Sequence, residues 1–333
     1  MKYFLLGSFS SAFFLLGIAV VYGAIGSTNL YSLAGTDGAG VVEFLETSTP
    51  GSAGLLILGA GLLIIGLGFK VAAVPFHMWT PDAYQGAPSP VTGFMAAGSK
   101  IAGFAALLRL LDVTMFPLRD DWRPLVIGVA IATMIVGSLF AIVQEDVKRL
   151  LAYSSIAHAG FVLTGVIAAN DEGISASLFY LATYGLTVIG AFAITAVIGG
   201  EGESRTRLVD YKGLFYRRPM LAGALSLFLL SLAGVPLTSG FIGKLVVFGA
   251  AIEAGYWWLA VVGVVASAIA AFFYLRVIVV MYMQEPDTDA PEIAVGTSSG
   301  AVLGATALAT IALGLVWGPL YQAAQNATLF FPN

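Results

Sequence analysis

An all-α polytopic membrane bundle is the fold this 333-residue sequence predicts. Hydrophobic residues make up 59% of the chain and charged residues 10%, with a mean hydropathy of +0.92; soluble domains carry about 25% charged residues. The apolar residues gather into about nine runs that reach or approach the roughly 20 residues a spanning helix needs. Three lysines, Lys70, Lys100 and Lys244, lie inside those runs. A charge at the bilayer centre costs about 2.5–3.5 kcal/mol, so three such placements point to a use, and ion movement fits it.

The first run, 3–25, follows a single early lysine. A secretory signal cleaved near Ala24 competes with a helix here, but an apolar stretch of about 20 residues followed by further spans favours the helix, with Lys2 snorkelling to the interface. The second run, 53–82, and the seventh, 219–251, are too long for one straight span, and each holds a proline, Pro75 and Pro236. Proline removes a donor and displaces the carbonyl four residues earlier, so each helix is expected to break there. In hydrocarbon the freed backbone groups need protein or water partners, which makes each break the lining of a polar cavity.

The third run, 89–112, is opened by Pro88 and Pro90 and carries Lys100 about ten residues in, or about 15 Å deep in a core of about 30 Å. Runs at 123–143, 149–169, 173–199, 255–283 and 297–322 complete the set. The connection TPDAYQGAP, with Asp82 and Tyr84, carries turn chemistry as readily as proton chemistry. Lys148 and Arg149 in QEDVKR read as ordinary anchors, and Arg109, Asp112 and Arg276 as interfacial charges or interhelix pairs. Positive charge concentrates at the N-terminus and in the loops near 144–148, 200–218 and 284–296, which predicts that these face the cytoplasm and the C-terminus the outside.

The formal net charge of −4, spread over loops, suggests no nucleic-acid surface. The absence of cysteine excludes disulfides and thiolate-held clusters, and two histidines are too few for an ordinary structural zinc site. No phosphate-binding glycine loop or nucleophile elbow is present. What the residues offer is proton chemistry. An ammonium taken out of water is disfavoured against the neutral amine, and a nearby opposite charge restores it, so a buried lysine can be switched by moving its surroundings. Histidine is the natural stepping-stone between such lysines; His158 lies in AYSSIAHAGF, and His77 directly follows the first proline. Lys244 follows Pro236 by eight residues, about 12 Å along a helix, where capping the broken helix is its plain alternative role.

FKVAAVPFHMW and LSLAGVPLTSGFIGK echo each other, as the two halves of an inverted-repeat transporter would. Taken in order, KVAAVPFHMWTPDAYQGAPSPVTGFMAAGSK, VKRLLAYSSIAHAGF and SLAGVPLTSGFIGK resemble the subunit N family of respiratory NADH:quinone oxidoreductase, complex I, over nearly the whole chain. Multisubunit cation/proton antiporters share part of the pattern. The resemblance implies an antiporter-like subunit of two inverted five-helix repeats that moves protons while other subunits oxidise NADH. NADH, flavin, iron–sulfur clusters and quinone would then sit in partner subunits, with none in this chain, and the partners would be the other membrane-arm subunits in the bacterial plasma membrane. It further implies that Lys70 is the central pump lysine, Lys244 the terminal one and His158 the axial histidine, with Lys100 and His77 on the same relay. On this pattern residues 1–113 resemble helices six to eight of the first half, 114–284 the second half, and 285–333 a C-terminal helix. Several more helices, one with a buried glutamate, precede the matching point in the family, so the sequence reads as truncated at its front. A purely structural or non-functional fragment is the competing expectation. A stand-alone antiporter is disfavoured by the scarcity of intramembrane acids.

Overall fold

The computed structural model describes residues 1–30, 54–286 and 293–327. Among them every regular element is helical, apart from one isolated antiparallel bridge between Asp146 and Arg207. Helix α1 (Lys2–Ile25) lies against α2 (Gly54–Val71). After a turn come α3 (Trp79–Gly86) and α4 (Ser89–Asp112). Then follow α5 (Arg119–Ile142), α6 (Val147–Ala168) and α7 (Asp171–Gly199). The seventh run is two half-helices, α8 (Pro219–Ala233) and α9 (Ser239–Glu253). The chain continues through α10 (Trp257–Met283), α11 (Thr297–Leu315) and α12 (Gly318–Ala327). Among the described residues eight helices are long and apolar enough to cross a membrane, and the half-helix α8 is apolar but shorter. The protein is a polytopic all-α membrane bundle.

Helix α6 is the axis, with 94% of its apolar window buried. Helices α3, α5, α7, α9 and α10 all pack on it. Helices attract weakly in lipid unless backbones come close, and small residues permit that approach. At the α5–α6 crossing a Cβ on Gly137 would strike the main chain of Ala157, and one on Gly160 would strike Met134 and the Ala130 carbonyl. The α1–α2 crossing has the same character, with Gly66 against Phe14 and Gly59 against Val21. Outward faces stay apolar, with Leu139, Val264 and Leu308 among the exposed side chains, as lipid contact requires.

The two expected breaks differ. At the second, α8 ends in a left-handed Gly234 (φ 90°), and the Gly234 and Val235 amides both return to the Leu230 carbonyl. That is a Schellman-like stop, and α9 begins after Pro236, as the proline predicts. At the first, the helix stops at Val71, before Pro75, because Ala72 turns left-handed (φ 62°). The Ala73 amide closes on Gly68, Val74 donates to Thr133 Oγ1 of α5 at 3.0 Å, and the Trp79 indole donates to the Phe69 carbonyl at 3.0 Å. Protein groups therefore satisfy this break, and the segment beyond it is the short helix α3 rather than the rest of a span.

Candidate functional site

Ser154, Ser155 and His158 sit three and four residues apart on α6 and so share a face. Helix α7 presents Tyr180 and Tyr184 to it, one turn apart, and α10 presents Tyr274. His158 is 3% exposed, with Nδ1 2.6 Å from Tyr180 Oη and Nε2 3.3 Å from Tyr274 Oη. Tyr274 Oη also meets Ser154 Oγ, and Tyr184 donates to Ser155 Oγ at 2.9 Å. Hydroxyls both give and take protons, so the imidazole has a proton-exchanging partner on each nitrogen. Tyr153, beside them in sequence, points away and stacks on Phe140.

Lys100 reaches this cluster from α4. It is 2% exposed and donates to the Ser155 carbonyl. A π-helical turn over Met95–Ser99 immediately precedes it, an insertion that re-aims the side chains after it. No carboxylate hydrogen-bonds its ammonium among the described contacts.

Lys244 closes the other end. The Gly234 and Val235 amides take the Leu230 and Ser231 carbonyls, which leaves those of Leu232 and Ala233 free at the end of α8. Lys244 Nζ donates to both, at 3.0 and 2.8 Å. A cation is favoured at the negative end of a helix, so the break and the lysine explain each other. The ammonium also lies 4.9 Å from the ring centre of Phe161, which meets His158 edge-on. Between the histidine and Lys244's half-helix is a cavity of about 10 Å³ lined by His158, Tyr180, Thr183, Ser231 and Leu232 among others, on the order of one water-sized probe.

Lys100, His158 and Lys244 thus lie in one buried cluster, Lys100 at the Ser155 carbonyl and Lys244 over Phe161. Lys70 is not: it is exposed on the surface of this chain, over an open groove beside Tyr3, Gly7 and Ser11 of α1. Within this chain the expectation of a buried Lys70 is corrected accordingly: it stands in the last turn of α2 on the face that Phe69 and Val71 do not bury. His77 is half-buried beside the Pro75 carbonyl, and no described contact joins it to His158.

Lys148 departs from its expected role, and Asp112 is buried rather than interfacial. Lys148 is 1% exposed rather than an interfacial anchor; it donates to Glu203 at 2.7 Å and to the Ala87 carbonyl at 2.6 Å. Asp112 is buried, with neither carboxylate oxygen hydrogen-bonded among the described residues. Burial pushes the Glu203 carboxyl up, but hydrogen bonds from Lys148 and from the Ser89 hydroxyl and amide outweigh it and hold Glu203 below the usual range. Arg276 behaves as an interhelix group, donating to the Ile142 carbonyl at 2.9 Å at the end of α5.

On the same polar face Asp82 accepts from Lys2 and, at 2.6 Å, from Arg149, and these partners hold its carboxyl below the usual range. A depressed carboxyl stabilises the fold above its unfolded value and loses that contribution as pH falls through the folded value. Wild-type protein in detergent is therefore expected to lose melting temperature below about pH 4, and Asp82→Asn to flatten that acid limb. An unchanged acid limb in the variant would remove Asp82 from the account.

A family model described as NADH:quinone oxidoreductase/Mrp antiporter, TM, matches residues 1–270. The chain is 51% identical over 332 residues to NADH-quinone oxidoreductase subunit N 3 of Streptomyces griseus, covering 99% of this chain and 60% of that protein. It is 48% identical to NADH-quinone oxidoreductase subunit N of Rhodococcus opacus over 332 residues, again 99% of this chain and 60% of the relative. The chain thus spans about 60% of the length of these curated relatives. Among solved structures, a chain of respiratory complex I from Thermus thermophilus with bound Aureothin superposes with a TM-score of 0.80 at 38% identity, covering 97% of this chain and 68% of that one.

Proposed function

The chain belongs to the NADH:quinone oxidoreductase/Mrp antiporter transmembrane family, and on that premise we propose that it is a proton-translocating membrane subunit of a NADH:quinone oxidoreductase. Its neighbours would be the other membrane-arm subunits, in the plasma membrane of a bacterium, with the N-terminus cytoplasmic. NADH, flavin, iron–sulfur clusters and quinone belong to partner subunits in this reading, which fits a chain without cysteine. The subunit N relatives support the assignment.

The observation that carries the mechanism is a buried cluster with an amine at each end: Lys100 donates to the Ser155 carbonyl, Tyr184 donates to Ser155 Oγ and packs its ring on His158, His158 meets the Tyr180 and Tyr274 hydroxyls, and Lys244 lies over Phe161, which meets His158 edge-on. Its ends are amines whose partners are main-chain carbonyls. Carbonyl dipoles steady an ammonium without fixing it as a carboxylate would, so either lysine takes up or releases a proton when its helix shifts. The uncharged middle, hydroxyls around an imidazole, passes a proton without carrying lasting charge through the bundle.

Lys100→Met tests this reading. In membrane vesicles holding the assembled complex, NADH-driven proton uptake is expected to fall about a hundredfold or more, the low end of what a positioned proton carrier contributes. Ferricyanide reduction by NADH, which reports on the peripheral subunits, should stay unchanged. Wild-type proton uptake in the variant would leave only a structural role for the chain.

A further inference from the structure

We propose that the segment Tyr211–Met220, together with the apolar face of α10 that runs inward from it, binds an anionic phospholipid. The site needs only the membrane-spanning fold, so it stands whether or not the chain carries protons.

The segment reads YKGLFYRRPM and holds Lys212, Arg217 and Arg218 within seven residues, with no acid among the ten. On the same side of the bundle Lys2 and Arg149 pair with Asp82 and Lys148 with Glu203, whereas Lys212 takes part in no ion pair among the described residues. The segment is also fixed in place. Its single helical turn, Leu214–Arg217, is tied to the end of α10: the Gly213 amide donates to the Val280 carbonyl at 3.3 Å, and Phe215 stacks on Tyr282 with ring centres 4.8 Å apart. Gly213 is left-handed (φ 60°), and a Cβ there would fall 2.5 Å from Pro286, so only glycine lets the turn sit this close. The cations are thereby held where α8 enters and α10 leaves the apolar layer. Phe215 and Tyr216, 40% and 64% exposed, put aromatic rings at that level, as the headgroup region favours.

An apolar lane begins directly beneath. Met283 adjoins the ring on which Phe215 stacks, and Met283, Val279, Leu275 and Phe272 follow one another at steps of four, four and three residues. Such steps keep them on one helix face, and all four are exposed. From Met283 to Phe272 the lane is about 16.5 Å long at 1.5 Å per residue, about one leaflet of a core about 30 Å thick. Met220, 87% exposed, flanks the same rim from α8.

A cationic rim continuous with a lane one leaflet deep is the complement of a phosphate head on acyl tails. Guanidinium forks match phosphate oxygens, and basic pockets between helices at this level suit anionic headgroups. A soluble anion would leave the lane unused. A zwitterionic lipid would bring its own cation against Lys212 and the two arginines. The occupant with both the right charge and the right length is therefore an anionic phospholipid of the leaflet that Tyr211–Met220 faces.

The test uses the complete assembled complex in phosphatidylcholine nanodiscs, with ferricyanide reduction by NADH as the assembly control. Trace phosphatidylglycerol or phosphatidylcholine, each with the same photoreactive acyl chain, is added, and adducts are mapped to peptides after irradiation. Each basic residue at an anionic surface contributes about fivefold in affinity. The peptides holding Phe272, Met283 and Met220 should therefore be labelled by the phosphatidylglycerol probe about a hundredfold more than by the other. Arg217→Gln with Arg218→Gln should lower phosphatidylglycerol labelling about 25-fold and leave phosphatidylcholine labelling unchanged, whereas Arg217→Lys with Arg218→Lys, which keeps the charge, should retain it. Equal labelling by the two probes in wild type would make the lane ordinary lipid contact and overturn the site, even if the glutamine variant fails to assemble. Absence of label from both probes would mean that a neighbouring subunit covers the segment, which overturns it too. Loss in the lysine pair as great as in the glutamine pair would assign the arginines to the fold rather than to a headgroup, and would equally refute the proposal.

Discussion

Lys244→Met is expected to abolish most proton uptake in the assembled complex while leaving ferricyanide reduction intact. Methionine is close to lysine in length and apolar, so the space between α8 and α9 stays filled, but the ammonium is gone. Two consequences follow, and they can be separated. The Leu232 and Ala233 carbonyls lose the donor that satisfies them at 3.0 and 2.8 Å, at a cost of about 1–3 kcal/mol for each one left unpaired. The relay also loses its last exchangeable proton, for which a fall of about a hundredfold or more is expected. Lys244→Arg restores the carbonyl contacts but not the release, since guanidinium stays protonated. If Lys244 serves only as the cap of a broken helix, arginine should rescue uptake. If it is also a proton carrier, arginine should rescue assembly alone. Rescue of uptake by arginine would refute the transport role.

Much of this arrangement was legible in the sequence, for reasons that differ from residue to residue. The break before α9 could be read because Gly234, Pro236 and the following Thr-Ser act locally: one favours a left-handed stop, one lacks an amide, and the others restart a helix. The burial of Lys100 could be read from its depth in an apolar run. The early stop at Val71 could not, because a left-handed alanine is disfavoured by itself and is held here by Thr133 and Trp79, partners distant in sequence.

Polar partners across helices were hidden in a similar way. His158 stood out as one of two histidines, but Tyr180 and Tyr274 reach it from α7 and α10, and no local pattern fixes how those helices rotate. A usable signal did exist within α6. Lys148, Ser155 and His158 fall seven and three residues apart, a polar stripe on a mostly apolar helix, and such a stripe inside a buried helix predicts partners rather than water. Glu203 carried no comparable signal, because it sits in a charged connection where one acid resembles the next.

The backbone around the second break makes its own demand, and Gly240 is where it is strictest. Helix α9 starts so close beneath the end of α8 that the Gly240 amide reaches Ser231 Oγ at 3.1 Å, and a Cβ on Gly240 would fall on the Ser231 carbonyl oxygen. That obstacle is main chain, so it cannot rotate aside as a side chain could. From the other side Gly314 of α11 lies against the Leu237 carbonyl with the same lack of room, which prevents the break from swinging outward. Gly240→Val is therefore expected to push α8 and α9 apart, at the upper end of the about 1–3 kcal/mol that overpacking usually costs or beyond it. The separation would carry Lys244 away from the carbonyls that hold it. The complex should assemble poorly, with a lowered melting temperature, and any assembled fraction should pump less per NADH oxidised than wild type. Gly249, on the same half-helix, has nothing within 4 Å of where its Cβ would be, so Gly249→Val serves as the matched control for valine in α9. Equal assembly and equal pumping in the two variants would mean that the close crossing at Gly240 does not set the geometry at Lys244.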